Sequence, residues 1–174
     1  MEAGHIPQLW STSKYMDTNR LHSLFTQTRT LTLGVTTPQG PWTAPVYFAY
    51  LKGRFYFLSN PESRHADLSH LAQPSIAASI FQDGEEMSAI FGVQMLGQIH
   101  RITAPGELLS GLGAYGKKFK FLEARFGKAA LADPRFFKEK FHARLFGFTP
   151  EEIWFSDLSR MGSGRQALPL EVLP

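Results

Sequence analysis

The stretch "RFYFLSNPESRHADLSHLAQPSIAASIFQ", residues 54–82, decides how this chain is read. Its first six residues are rich in aromatic side chains and lie between Gly53 and the Asn60-Pro61 stop, which is the pattern of a β-strand. Ser59, Pro61 and Glu62 then match a capping box, with Ser59 as N-cap, Pro61 at the first helical position and Glu62 three residues after the cap. That pattern predicts a short helix over 62–72, closed before Pro74. "SIAASIFQ" (75–82) returns to strand and "DGEE" (83–86) turns. The cap accounts for Ser59 and Glu62 but not for Ser63, Arg64 and His65. A helix start presents free N–H groups and a partial positive charge, which suit a phosphate. Arg64 sits at the wrong end for the helix dipole, at a cost of about 0.3–1 kcal/mol that a bound anion would offset. From these residues alone a bare cap and a phosphate site both stand.

Working outward, "TLTLGVTT" (30–37), the turn "PQGP" (38–41) and "WTAPVYFAY" (42–50) add two strands, and Gly53 marks a short connection to residues 54–59. The three strands read as an antiparallel meander. Upstream, Met16, Leu21, Leu24 and Phe25 recur at helical spacing within residues 5–29. Downstream, "SAIFGVQMLGQIHRIT" (88–103) is a long strand in which Gly92 and Gly97 mark bulges or close backbone approach. Residues 106–126 and 133–141 read as helices, and "RLFGFTPEEIWFSD" (144–157) as two short strands flanking Pro150. The tail from Leu158 is rich in Gly and Ser. Consecutive strands with inserted helices predict an α+β domain, a small antiparallel barrel decorated by helices over 1–174.

Composition narrows function. With 174 residues, 43% hydrophobic content and 15 Phe, one domain can bury a full core. The absence of Cys removes disulfides, thiolate nucleophiles and Cys-based zinc sites. Eighteen basic against 15 acidic residues, a net charge of +3, is a modest excess for a nucleic-acid binder. "YGKKFKFLEARFGK" (115–128) interleaves basic and aromatic residues, yet Phe119, Leu122 and Phe126 facing a core and Lys117, Lys118 and Lys120 facing water give the same pattern. His65 and His70 fall on different helical faces, and His100 and His142 lack partners in sequence, so no metal site is expected. Glu85 and Glu86 read as solvated turn residues, and Trp10, Trp42 and Trp154 as packing or dimer contacts. No apolar run of about 18 residues could span a bilayer, and Met1–Trp10 lacks the layout of a signal peptide, which predicts a cytoplasmic protein with no membrane partner.

Residues 54–82, with "GVQMLGQIHRI" (92–102) downstream, resemble the flavin-binding segment of the pyridoxamine 5'-phosphate oxidase-like split-barrel superfamily, and small uncharacterised bacterial members in particular. The resemblance covers about residues 28–104, and "PEEIWFSD" (150–157) resembles the closing strand more loosely. It implies a split β-barrel that dimerises and binds flavin mononucleotide (FMN) at the subunit interface. By that resemblance Arg64 and Ser63 would hold the FMN phosphate, with His65 where the family has Lys. Leu58 and Ser59 would lie along the flavin through main-chain groups. Pro45, Val46 and Tyr47 would line the ring or ribityl chain, Gln94 would reach the ring within the chain or across the interface, and Arg165 would contact the cofactor from the tail. The family's C-terminal Arg-x-His substrate motif is replaced by "SRMGSGRQAL" (159–168), so pyridoxamine phosphate oxidation is disfavoured and the small-molecule substrate stays open. An FMN-dependent oxidoreductase is the first expectation. A non-enzymatic carrier of flavin or haem is the alternative, deazaflavin is a further family cofactor, and a nucleic-acid-binding module is the weaker reading.

Overall fold

A computed structural model of the chain describes residues 18–69, 76–158 and 165–174. Seven strands form one antiparallel sheet: β1 (Thr30–Thr37), β2 (Gly40–Leu51), β3 (Arg54–Ser59), β4 (Ile76–Gln82), β5 (Phe91–Arg101), β6 (Arg144–Asp157) and β7 (Gln166–Leu168). The order is β3-β2-β1-β4-β5-β6-β7, and β3 also pairs with the first part of β6, so six strands close into a barrel. The expected meander is β1-β2-β3, with Gly53 at positive φ in the tight turn between β2 and β3.

Alternation along each strand sends one set of side chains inward. Leu31 and Leu33 of β1, Phe48 of β2, Phe55 and Phe57 of β3, Ile80 of β4 and Phe146 and Phe148 of β6 are at most 1% exposed and fill the barrel. The helix α1 (Thr18–Gln27) adds its buried face, Leu21, Leu24 and Phe25, to the same core. Between β5 and β6 lie α2 (Pro105–Lys118), α3 (Lys120–Phe126), α4 (Lys128–Ala132) and α5 (Pro134–Phe141). They cover the outer face of β3 and the start of β6, where Tyr56, Leu112, Phe137 and Leu145 form a second core. A polar cluster fastens α2 there: Glu107 in its first turn is paired with Arg54 and accepts from the Tyr56 hydroxyl (3.1 Å), while Arg54 Nε donates to Thr149 Oγ1 (2.9 Å).

Four expectations are corrected. The helix over 62–72 is absent from its described part: residues 61–69 are a series of turns, and 70–72 lie outside the described residues. The cause is Asn60, whose side chain accepts from Glu62 N (3.0 Å) in an Asx turn, while the Ser59 hydroxyl is engaged by His65 and caps nothing. Residues 144–157 form one continuous strand rather than two. Pro150 is tolerated because Glu151 is the extra residue of a bulge, with Gly97 opposite Pro150 and Leu96 opposite Glu152. The tail carries a short strand, β7, and a 3-10 turn (Leu170–Val172), both missed in sequence. Lys118, expected in water, is half-buried, with Nζ donating to the Phe25 carbonyl (2.8 Å) and 3.6 Å from the Phe48 ring centroid. The expected helix over 5–29 is described only from Thr18.

Candidate functional site

Outward-facing residues of β1, β2, β4, β5 and β6 line up in rows across the sheet. One row runs Ala167, Trp154, Gln94, Ser79, Thr32, Pro45, and the next runs Glu152, Leu96, Ala77, Gly34, Thr43. Small residues in the middle and larger ones at the sides make a groove of about 510 Å³, floored by Gly34, Ala77 and Ser79 and walled by Trp154 and Leu96. That volume falls within the roughly 300–1,000 Å³ of small-molecule pockets. Gly34 keeps the floor low, since a Cβ there would stand 3.5 Å from the Ala77 Cβ.

The turn after β3 meets β2 at Trp42. Asn60 O accepts from Ser63 N (3.0 Å), and Ser63 O accepts from both Ala66 N and Asp67 N (2.8 Å each). The chain is wound into a single turn in which the N–H groups of Arg64 and His65 have no acceptor among the described residues. Consecutive free N–H groups in a turn form an anion-binding concavity. The Arg64 guanidinium lies 4.7 Å over the ring of Trp42, which pairs with Val35 and so lies on the strand face opposite the groove residue Thr43. Arg64 forms no ion pair among the described residues, so its guanidinium donors remain for an anion. His65 Nε2 is 2.9 Å from Ser59 Oγ, and burial lowers the pKa of this imidazole, so it is neutral at pH 7.

The structure brings Ser63, Arg64, His65 and Ser59 together at this turn, and places Pro45 and Gln94 in one row across the sheet, of which Gln94 lines the groove. Tyr47 is half exposed on the same outer face, edge-on to Phe119 with ring centroids 5.4 Å apart, and Arg29 lies 5.6 Å over it. Val46 points the other way: its side chain is in the barrel core, so only its main chain remains for a ligand. The Leu58 side chain also leaves the groove and packs beneath the helices. Arg165 directly precedes β7 on the far side of the groove. β7 pairs with the second half of β6, at Ile153–Phe155.

Sequence reasoning missed Trp42 as the shelf for Arg64 and Thr32 and Ser79 as groove residues. Strand alternation could have placed Thr32 and Ser79 outward, but no local signal joins Trp42 to a residue in another loop.

No protein-family model matches the chain, and no curated protein matches its sequence. Solved structures do match. A heme binding protein from Mycobacterium smegmatis is 14% identical with a TM-score of 0.64, over 92% of this chain and 61% of that one. A FAD-binding protein from Mesorhizobium loti is 15% identical with a TM-score of 0.57, over 88% and 96%. A protein of the pyridoxinephosphate oxidase family from Clostridium acetobutylicum, related to a general stress protein of Bacillus subtilis, is 11% identical with a TM-score of 0.55, over 91% and 100%. The chain shares their split-barrel fold. At these identities the likeness is one of fold alone. Among the described residues no helix is long and apolar enough to cross a membrane.

Proposed function

We propose that the chain binds FMN, with the phosphate at the Ser63–His65 turn and the ring system along the outer face of β2 and the groove beside it. The observation that carries this reading is the Arg64 guanidinium over the Trp42 ring in a turn with two N–H groups that have no acceptor among the described residues. Arg64 and the two N–H groups supply donors suited to a phosphate dianion. Ser59 and His65 brace the turn from inside. Gln94 brings an amide to the groove, where it can hydrogen-bond a flavin ring edge. Bound flavin would supply hydride or electron transfer, and the protein would supply position and a dry pocket. Oxidation or reduction of a small molecule is the activity this arrangement supports.

A second copy of the chain completes the site in this reading. Tyr47, Phe81, Leu96 and Trp154 are 40–59% exposed on the outer strand faces, an apolar area that a homodimer would cover. Arg165, ahead of β7, would contact the cofactor from the tail. Haem is the weaker cofactor here. Haem iron needs an axial ligand, yet Met95, the one described His or Met among the groove's lining residues, has its side chain 2% exposed in the barrel core.

The test is gel filtration of the purified protein after incubation with FMN, with haemin and with a deazaflavin in parallel. Co-elution of FMN in about one equivalent per chain supports the reading, and turnover with NAD(P)H then distinguishes an oxidoreductase from a carrier. Failure to retain FMN sinks the reading, and retention of haemin alone replaces it.

A further inference from the structure

A second cavity, of about 260 Å³, lies on the other side of β3 from the groove, between the barrel and helices α2 and α5. Its floor is apolar: Leu58, Ile102, Leu108, Leu112, Phe137 and Leu145. Its remaining lining includes four cations, Arg101, Arg135, Lys138 and Arg144, and no carboxylate. Among the described residues only Arg135 is paired with a carboxylate, that of Asp133 (3.1 Å). Arg101 and Lys138 have no acidic partner among the described residues, and Arg144 donates only to the Ala143 carbonyl (3.1 Å). Three cations in the lining of one cavity, with no carboxylate beside them there, make a rim of one sign that favours an anion. The floor would hold an apolar body and exclude a bare inorganic ion, which needs full hydration or full pairing.

The geometry points to a second ligand site, for a small amphiphilic carboxylate whose apolar chain or ring lies on Leu112 and Phe137 and whose carboxylate meets Arg101, Lys138 and Arg144. At the roughly 30 Å³ that a liquid water occupies, the cavity holds about nine such volumes. This matches an acid of some eight to ten heavy atoms. The site is independent of the flavin reading, since its cations and its floor belong to β3, β5, β6, α2 and α5 and not to the groove.

Calorimetric titration of the full chain with sodium octanoate, octan-1-ol and octylamine at low salt tests it. Octanoate binds saturably at one site, and the alcohol and the amine bind at least about tenfold more weakly, because they lack the charge that the rim recognises. Arg101→Gln combined with Arg144→Gln lowers octanoate affinity by about tenfold or more and flattens its salt dependence. Ala143→Leu, which fills the cavity, removes binding. Thermal melts confirm that the variants fold, and if Ala143→Leu does not, the rim pair decides alone. No saturable binding up to about 10 mM octanoate, equal affinity for octanol, or an unchanged affinity in the rim pair each overturns the proposal.

Discussion

Gly97→Ala is the substitution whose effect the backbone geometry sets most directly. A Cβ at Gly97 would lie 2.1 Å from the Thr149 carbonyl oxygen and 2.8 Å from the Pro150 Cα, against an ordinary contact of at least 3.4 Å. Both obstacles are main chain, at the bulge where β6 gains Glu151, so no rotamer change relieves the overlap. One strand must move by about 1 Å in a ladder that carries the groove wall, and overpacking of this kind costs about 1–3 kcal/mol. We take about 3 kcal/mol, since the clash is with backbone. For a domain of this size each kcal/mol shifts Tm by about 2–4 °C, so a loss of about 6–12 °C is expected in a calorimetric melt. Gly113→Ala is the matched control. Gly113 lies inside α2 and a Cβ there meets nothing within 4 Å, so Ala stabilises by about 0.5–1 kcal/mol. Equal Tm values for the two variants, or Gly97→Ala at wild-type stability, would refute the close approach of β5 and β6.

Three further outcomes follow from the same structure. Burial, with Arg29 nearby, lowers the Lys118 pKa to about 8 from its usual 10.5. The unfolded chain therefore binds more protons between these values, so folding stability rises with pH from about 8 to 9.5, before tyrosine ionisation intervenes. Lys118→Met loses this slope in urea titrations across that range, and an unchanged slope places Lys118 in solvent. Trp154→Arg puts a charge in the centre of the exposed outer face; sedimentation should show a dimer for the wild type and a monomer for the variant at about 10 μM, with Tm changed by no more than a few degrees. A monomeric wild type contradicts the shared site. His65 is held neutral by burial against Ser59, so stability falls as pH drops below about 6.5 and the unfolded chain takes up the proton first. His65→Asn reduces that fall, and an identical acid limb in the two proteins argues against a buried His65.

The strands of the barrel were legible because their signals are local. Alternation in β1 and β2 and the aromatic run of β3 carry strand identity within a few residues, while Gly53 marks a turn by its positive φ and Gly97 a bulge by what a side chain would hit there. The segment 61–69 misled because a capping box and an Asx turn use nearly the same residues. Ser59 was free to cap only if it were not buried against His65, and that burial depends on the barrel. Pro150 looked like a strand break because its missing N–H is local, whereas the bulge that absorbs it needs β5 alongside. In the candidate site, Arg64 was legible as an unexplained cation at the start of the expected helix. Trp42 beneath it was not, since the two meet only through tertiary structure. The same holds for Val46, whose inward side chain follows from β2 register, and for the cations Arg101, Lys138 and Arg144, which three separate elements bring to one cavity.

The central claim is that Arg64 and its turn hold a phosphate beside the groove, and the most direct measurement compares FMN with riboflavin. Fluorescence titration of both ligands against the wild type and Arg64→Ala isolates the phosphate contribution from that of the ring. The account predicts that the wild type prefers FMN by about tenfold to a hundredfold, the worth of a charge-assisted contact, and that Arg64→Ala loses most of this preference while its riboflavin affinity and Tm stay within error. Equal affinities for FMN and riboflavin in the wild type, or a preference untouched by Arg64→Ala, would contradict it.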